Sequence, residues 1–527
     1  VDLSLQIDIL TRPLLGLNQR PGTWPLIREE HYSMWKMDVP KFTAYGDADS
    51  LILISGDVVK KCFLKPPFDF VKEKICDLGK KDLEWQMSLI EGSLEARASI
   101  DKMVSMPKVE IFDLNGVPTL NKREMIGHAI TLAEELREKA YHSKNGEPSW
   151  VILKGTGDSG QFMLDSMDFS LYDGSTGVAL FLAALDKLAP RAGYRDMAYS
   201  TIALMRRWFK KARPSEISEL GIGGCSGLGS IVYSLVSLGK LLDDPALLEE
   251  SQHAASLFKE KDVDSDKVFD VLAGSAGAIL GLLACHKVTG ENEILQKAVY
   301  CGNHLLKNQV KSQSGFQTWN TIENNPLLGF SHGAAGIAYA LLKLYQVTKQ
   351  PEFLQAAQEA IDYETHAFVP EEKNWPDLRR DLKNEEAHSK DLNFMCAWCH
   401  GAPGILLGRI GGLEILDSDS IRKDIQVGLQ TTQQSALQLR DHICCGNMGR
   451  VEALLTAGQK LSQPQWIKEA VELTSQVAAR AQAKGSFRLT FLHNFYNASL
   501  FQGTAGVGYQ LLRLAEPEVL PSLLLLE

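Results

Sequence analysis

The 527-residue sequence has little of what marks a secreted, membrane-spanning or nucleic-acid-binding protein. Nine cysteines are few for this length and odd in number, which argues against a disulfide framework and favours a reducing cytoplasm. No apolar run reaches the roughly 18 residues that a membrane span needs. The 65 acidic residues outnumber the 55 basic ones, and the resulting net charge of −10 argues against a nucleic-acid-binding surface. The 45% hydrophobic fraction is that of an ordinary globular chain.

Glycine, by contrast, recurs in a repeating pattern. A Gly-x-x-Gly motif followed at once by an apolar helical run begins at Gly174, Gly224, Gly274, Gly333, Gly401, Gly446 and Gly503. Amphipathic segments lie between these runs, so each repeat predicts one buried and one outer helix. Seven helical hairpins can form an open solenoid or a ring, and closure removes two exposed apolar ends. We therefore expect an all-α fold, a closed α,α-toroid of seven hairpins over residues 121–527.

The segment before the repeats has a different character. Residues 1–98 include a strand-like run at Leu51–Ile54 and a charged helical segment at Leu83–Ala96, so we interpret them as the end of a mixed α/β domain. Residues 99–120 mix Met, Pro and Gly as a linker does. We find no phosphate-binding Gly loop followed by Lys and no kinase metal-binding motif, so we expect no ATP consumption by this chain alone.

Metal-binding side chains accumulate in the fourth, fifth and sixth repeats. His332, His400 and Cys445 stand immediately before the first glycine of these motifs, and Cys399 and Cys444 stand one position earlier. Because adjacent repeats are neighbours in a ring, Cys399, Cys444 and Cys445 should converge. Three thiolates with an open fourth position form the arrangement of a catalytic zinc site, and helix N-termini favour the thiolate form. The alternative is three small buried thiols that pack near glycines.

Neighbouring residues have structural as well as chemical interpretations. His332 is either a structural histidine or an acid–base group, and Asp270 in the preceding repeat is either a helix N-cap or the partner of His332. His400 directly follows a candidate ligand but shares the register of His332. Cys396 and Cys399 form a Cys-x-x-Cys, but no thioredoxin-like βαβ pattern surrounds them.

Three further residues are closer to structural roles. Cys225 lies in the second Gly-x-x-Gly motif, far around the ring from the other thiols, so packing is favoured over a fourth ligand position. Arg450 and Glu452 follow the sixth motif on one helix, where we expect them to pair on the helix face or to bind substrate.

The motifs around these residues resemble those of the cyclase domain of class II lanthipeptide synthetases. The likeness is carried by Trp398-Cys-His-Gly-Ala-Pro-Gly-Ile405, Cys444-Cys-Gly-Asn-Met-Gly449, Asp270-Val-Leu-Ala-Gly, Phe330-Ser-His-Gly and Leu500-Phe-Gln-Gly-Thr-Ala-Gly. Residues 1–98, with Arg20-Pro-Gly-Thr-Trp-Pro and Ser55-Gly-Asp, resemble the end of the family's kinase-like dehydratase domain. The family fold is a seven-hairpin α,α-toroid, which agrees with the repeat count.

The resemblance implies a zinc-dependent cyclase. Its substrate would be a ribosomally made precursor peptide with dehydrated Ser and Thr, in which a cysteine adds to dehydroalanine or dehydrobutyrine to close a lanthionine or methyllanthionine ring. The family's zinc ligands fall on Cys399, Cys444 and Cys445, as in its three-cysteine subgroup. Its acid–base histidine and partner aspartate fall on His332 and Asp270. A longer natural protein would also dehydrate Ser and Thr with ATP.

Two departures and two alternatives accompany this interpretation. Some relatives carry an Arg four residues before the first zinc cysteine, where this chain has Met395, which puts a role for positive charge there in doubt. Asn497-Ala-Ser also replaces the expected Pro-Gly before Leu500. A non-catalytic thiol- or peptide-binding toroid would bind zinc without forming product. A toroid glycosidase or terpenoid-cyclase-like enzyme would need paired inner carboxylates or an Asp-rich motif, and we find neither.

Overall fold

The computed structural model describes residues 24–102, 116–143, 145–156, 161–190, 193–322, 325–379, 392–489 and 496–527. The chain divides into two compact units, Val1–Glu91 and Gly92–Glu527. Residues 20–23 of the Arg-Pro-Gly-Thr motif and residues 103–115 of the expected linker lie outside the described residues. The domain boundaries at residues 98 and 120 therefore stay a prediction.

The first unit combines helices with a small sheet. Helix α1 (Trp24–Trp35) is followed by strands β1 (Thr43–Ala44), β2 (Leu51–Ile52) and β3 (Val58–Val59), and then by α2 (Pro67–Asp77) and the start of α3 (Lys80–Lys102). The strands are antiparallel in the order β1-β2-β3, with Leu51 opposite both Ala44 and Val59. The strand-like run and the charged helix expected here are present, whereas a relationship to a kinase-like domain stays a prediction.

The second unit is almost entirely helical. After the end of α3 it contains α4 (Lys122–Lys139) and two antiparallel strand pairs, β4 (Tyr141–His142) with β5 (Pro148–Ser149) and β6 (Val151–Thr156) with β7 (Gln161–Ser166). There follow α5 (Ser175–Leu188), α6 (Tyr194–Phe209), α7 (Pro214–Glu219), α8 (Leu228–Leu241), α9 (Pro245–Ser256), α10 (Glu260–Asp264), α11 (Ser275–Thr289) and α12 (Asn292–Lys307). After the antiparallel pair β8 (Val310–Lys311) and β9 (Gln317–Thr318) come α13 (Ala334–Thr348), α14 (Pro351–His366), α15 (Ala402–Gly412), α16 (Asp419–Gln434), α17 (Asn447–Lys460), α18 (Pro464–Lys484) and α19 (Thr504–Ala515).

These helices form a closed ring of seven hairpins. The inner helices α5, α8, α11, α13, α15, α17 and α19 each contact the next, and α19 contacts α5. Six of them pack against the outer helix that follows in the chain, namely α6, α9, α12, α14, α16 and α18. The last inner helix, α19, takes α4 as its outer partner, so the two ends of the unit complete the seventh hairpin. The expected all-α toroid is confirmed.

Burial separates the two sets of helices as the sequence pattern predicts. Every residue of the inner helix α8 except Lys240 is buried. The outer helix α12 instead buries one face, on which Ile294, Ala298, Cys301 and Leu305 follow one another at helical spacing. Hydrophobic burial on all sides of the inner helices therefore holds the ring together.

The glycine motifs bring the starts of the inner helices together at one mouth of the ring. Backbone hydrogen bonds join several neighbouring motifs: the Gly224 amide donates to Val271 at 3.1 Å, and the Phe501 amide donates to Tyr172 at 3.2 Å across the closure. The second glycine is required sterically, because a β-carbon at Gly336 would collide with the carbonyl oxygen six residues earlier. The equivalent clash exists at Gly177, Gly277, Gly404, Gly449 and Gly506.

The final segment of the chain lies inside the second unit. Leu520 and Leu523–Leu526 are buried, and the Trp398 indole N–H donates to the Leu524 carbonyl at 3.2 Å. The Tyr233 hydroxyl donates to the Glu527 carbonyl at the same distance. Within the described residues, no helix has both the length and the apolar character needed to cross a membrane.

Candidate metal centre

Three cysteines from two adjacent repeats converge at the mouth where the glycine motifs lie. The Sγ atoms of Cys399 and Cys445 are 3.2 Å apart, those of Cys444 and Cys445 are 3.3 Å apart, and all three lie within 4.8 Å of one another. Tetrahedral zinc with Zn–S bonds of about 2.3 Å places its sulfur ligands about 3.8 Å apart. The spacing and the soft donor set therefore fit zinc. The convergence is observed, and the ligand role stays a prediction.

The charges of the three thiols depend strongly on one another. Hydrogen bonds with Cys399 and Cys444 hold the pKa of Cys445 well below its usual range. Hydrogen bonds with the other two thiols, followed by burial, raise the pKa of Cys444 well above its usual range. The cluster thus holds one negative charge readily and resists further ones, because thiolates this close repel each other. A cation at the centre would remove that resistance.

Other side chains hold the thiols in place. The Tyr172 hydroxyl donates to Cys444 Sγ at 3.0 Å and accepts from Gln502 Nε2 at 3.0 Å. The Cys445 amide donates to His442 Nδ1 at 3.2 Å, and burial lowers the pKa of His442 to about 4, which keeps this ring neutral. Such partners orient the ligands of metal sites. Tyr172 and Gln502 belong to the first and seventh repeats, so ring closure brings both of them to the cluster.

Asp270 and His332 meet at the same mouth. Asp270 Oδ2 lies 2.7 Å from His332 Nδ1, while Asp270 Oδ1 accepts from the amides of Ala273 at 2.8 Å and Gly274 at 3.2 Å. The N-cap interpretation of Asp270 is wrong, because the N-cap of α11 is Gly274 and the amides that Asp270 binds lie in the turn before the helix. Asp270 is fully buried, and the His332 side chain is 17% exposed. The contact is observed, and the acid–base role stays a prediction.

His400, the residue that follows Cys399, packs against this pair. Its ring stacks on that of His332 with centroids 5.8 Å apart, and its Nδ1 lies 3.3 Å from the Leu328 carbonyl. Burial lowers the pKa of His400 to about 4, so the ring is neutral. Among the described residues, Nε2 of His400 has no hydrogen-bond partner. The histidine next to Cys399 thus packs against His332 and lies outside the thiol cluster.

The interpretation of Arg450 and Glu452 as a helix-face pair or as substrate-binding groups is wrong. Each is only 1% exposed. Arg450 donates to the carbonyls of Thr432 at 2.8 Å and Ser435 at 2.6 Å, so it holds the loop before the sixth motif. Glu452 accepts from Arg513 Nε at 2.8 Å, which ties α17 to α19.

The two other cysteines of interest lie apart from the cluster. Cys225 is fully buried and burial raises the pKa of its thiol, which agrees with a packing role. Cys396 Sγ lies 4.0 Å from the Thr431 carbonyl. Neither sulfur belongs to the group formed by the other three thiols.

Sequence reasoning missed Arg379 and Asp377. Arg379 Nε lies 2.9 and 3.2 Å from the two Asp377 carboxylate oxygens, and its Nη2 lies 2.6 Å from Oδ2. The same Nη2 is 3.3 Å from Met395 Sδ, four residues before Cys399. Both residues lie in a loop outside the repeat register, so the repeat pattern does not indicate them. The sequence feature that bears on this site is the unexpected methionine at position 395.

Comparison with known proteins places this architecture among its relatives. The family model described as lanthionine synthetase C-like protein matches residues 165–525. The lacticin 481/lactococcin biosynthesis protein LcnDR2 of Lactococcus lactis subsp. lactis is 21% identical over 397 residues, which cover 73% of this chain and 38% of that protein. The nisin biosynthesis protein NisC of the same organism is 28% identical over 205 residues, which cover 35% of this chain and 48% of that protein.

A solved structure shows the same fold. Nisin cyclase superposes with a TM-score of 0.52 at 18% identity, covering 75% of this chain and 94% of its own. The chain spans less than half the length of these two curated relatives.

Proposed function

Because the chain belongs to the lanthionine synthetase C-like protein family, we propose that it closes thioether rings in lanthipeptide biosynthesis. It would add a cysteine of a ribosomal precursor peptide to a dehydroalanine or dehydrobutyrine of the same peptide. The observation that carries the proposal is the presence, at one mouth, of three convergent thiols and a carboxylate-bound histidine that is linked to them through His400.

Cys399, Cys444 and Cys445 would hold a zinc ion in this mechanism. When bound, zinc acts as a Lewis acid that favours the thiolate form of a substrate cysteine. Tyr172, through its hydrogen bond to Cys444 Sγ, and His442, through the Cys445 amide, hold the ligand sulfurs where the fold places them.

His332 would move the protons. Asp270 accepts a hydrogen bond from Nδ1–H of His332, which leaves the lone pair on Nε2. Nε2 accepts the proton of the substrate thiol, and the sulfur then forms a bond to the β-carbon of the dehydro residue. The electron pair of the carbon–carbon double bond moves to the enolate, and Nε2 returns the proton to Cα. All atoms of the substrate remain in the product, so the addition needs no oxidant or reductant.

Incubation of the zinc-loaded chain with a dehydrated precursor peptide tests the proposal. Free thiols that remain are counted by alkylation and mass spectrometry, and we expect them to disappear as rings form. Cys399→Ala should lose both zinc and cyclisation while helical content stays unchanged, because the apolar ring does not depend on one site. Cys396→Ala is the matched control, since its thiol lies three residues away outside the cluster, and it should keep both.

Two outcomes would contradict the proposal. Unchanged zinc content in Cys399→Ala, Cys444→Ala and Cys445→Ala would show that the thiols are not the ligands. Zinc binding by the wild-type chain without consumption of peptide thiols would identify a thiol-binding toroid instead of a cyclase.

A further inference from the structure

The candidate metal centre faces a charge imbalance when a substrate binds. Three thiolates and one zinc ion carry a formal charge of −1, and a fourth thiolate from the substrate makes it −2. Each added negative charge at close range lowers the affinity for the next one. A three-cysteine centre therefore needs a nearby cation more than a centre with a neutral ligand in place of one cysteine does.

Arg379 is placed to supply that cation. Its guanidinium is held by Asp377, with Nε and Nη2 on the two carboxylate oxygens at 2.6–3.2 Å, so its position is fixed. The Nη2 contact with Met395 Sδ at 3.3 Å brings the guanidinium against the segment that leads into Cys399. The side chain is 40% exposed, whereas that of Asp377 is 5% exposed. The positive partner of this ion pair is therefore the more accessible of the two.

The ion pair also lies beside the residue that follows Cys399, because Asp377 Oδ1 is 3.9 Å from His400 Nδ1. Burial lowers the pKa of Arg379, but the hydrogen bonds and charge of Asp377 outweigh it, and the charges of Cys399 and Cys445 raise this pKa further.

We infer that Arg379 is a substrate-positioning residue whose charge retains the substrate thiolate at the three-cysteine centre. The inference rests on the proposed function, because it takes the thiols to be metal ligands and a thiol to be the substrate group. It also accounts for Met395, which stands where some relatives carry an Arg. In this chain the positive charge beside that position comes from Arg379, which lies in a separate loop.

Cobalt substitution tests the inference without turnover. The full chain is loaded with Co²⁺ in place of zinc, and the small neutral thiol 2-mercaptoethanol is titrated while the sulfur-to-cobalt charge-transfer absorption is followed. Loss of one nearby positive charge should weaken thiol binding by about 10- to 100-fold in Arg379→Gln. Arg379→Lys should restore most of the affinity. Arg422→Gln removes an exposed arginine that forms a similar fork with Asp417, and it should bind the thiol as the wild type does.

Substitution of Asp377, the carboxylate partner of Arg379, tests whether positive charge at this position favours thiol binding. Asp377→Asn removes a negative charge and keeps a hydrogen-bond acceptor for Arg379, so it should bind the thiol as tightly as the wild type or more tightly. If the ion pair were purely structural, Asp377→Asn and Arg379→Gln would instead both weaken thiol binding. The difference between wild type and Arg379→Gln should also shrink as salt increases, because the guanidinium is partly exposed.

Three other results would contradict either the inference about Arg379 or the proposed function. Equal thiol affinity in wild type and Arg379→Gln, at equal cobalt content, would overturn the inference and leave the proposed function intact. Loss of cobalt from Arg379→Gln would also overturn it, since the arginine would then support the metal and not the substrate. Failure of the wild-type chain to bind cobalt would overturn the proposed function itself.

Discussion

Replacement of Asp270 by asparagine should invert the tautomer of His332 without disturbing the metal centre. The carboxylate uses Oδ1 to accept from the amides of Ala273 and Gly274 and Oδ2 to contact His332 Nδ1. In Asp270→Asn, the side-chain oxygen can serve only one of these two sets. If it turns toward His332, two backbone N–H groups lose their acceptor at a cost of about 1 kcal/mol each. We therefore expect the oxygen to stay on the amides and the NH₂ group to face the histidine.

The consequence for catalysis follows from the donor count. An NH₂ group beside Nδ1 makes Nδ1 an acceptor, so the proton of the neutral ring moves to Nε2. Nε2 then has no lone pair with which to accept the substrate thiol proton. General acid–base catalysis is worth about 10²- to 10⁴-fold, and cyclisation should slow by a factor in that range. Zinc content should stay at the wild-type level.

Single-turnover cyclisation, read as loss of alkylatable thiol, measures this effect. Asp266→Asn is the matched control, because Asp266 caps the same helix by accepting from the Ser275 amide at 2.8 Å and does not contact His332. The double variant Asp270→Asn/His332→Asn should be no slower than His332→Asn, since Asp270 acts through the histidine. A wild-type rate in Asp270→Asn, or a double variant clearly slower than His332→Asn, would refute the reasoning.

Three other predictions concern single positions. His332→Asn should keep zinc and cyclise about 10²- to 10⁴-fold more slowly; loss of zinc would make His332 a ligand instead. Cys445→His, compared at saturating peptide and matched zinc occupancy, should cyclise more slowly than wild type, because a third thiolate raises the electron density on the substrate sulfur; an equal or faster rate would show that Cys445 serves metal retention. Arg409→Met leaves the buried carboxylates of Glu364 and Asp424 without their cation, each 3.1 Å from it in the wild type, and should lower the free energy of unfolding by about 3–5 kcal/mol. Burial raises the pKa of Glu364 to about 7, so the folded protein binds the Glu364 proton more tightly than the unfolded chain does. The stability that comes from this tighter binding is present at low pH and is lost as pH rises through about 7. Urea unfolding should therefore show a larger loss for Arg409→Met at pH 8 than at pH 5, and equal losses would contradict the assignment.

The repeat register predicted those features that recur with the repeat. The ring, the common mouth and the convergence of Cys399 with Cys444 and Cys445 all follow from it, because neighbouring repeats are neighbours in space. The register also fails locally in the second repeat: the N-cap of α8 is Gly227, at a positive φ of 115°, and the helix begins later than the motif implies. Gly224 instead lies so close to the next motif that a β-carbon there would collide with Gly277.

Contacts that do not follow the repeat could not be predicted. The pairing of α4 with α19 joins the two ends of the unit, and the approach of Arg379 to Met395 joins a loop to the segment before α15. The expected pair of Arg450 and Glu452 fails for a reason that was available beforehand. Residues two positions apart on a helix do not face each other, so each of the two side chains found partners on a different element.

The spacing of the two chemical groups around the ring explains why the fold suits the proposed addition. His332 precedes the fourth inner helix, Cys399 the fifth, and Cys444 and Cys445 the sixth. Packed helices lie about 8–10 Å apart, so we expect His332 and the thiol cluster to be separated by about one interhelical distance. Attack at Cβ and protonation at Cα of one residue place a carbon–sulfur bond, a carbon–carbon bond and a hydrogen bond in a row between the sulfur and the histidine. Laid end to end, these three span somewhat less than one interhelical distance. A histidine placed two repeats away from the cluster would be too far from Cα to protonate it. The neutral ring of His400, the residue after Cys399, stacks on that of His332, so the histidine that would carry the proton packs against the cysteine segment and is not part of the thiol cluster.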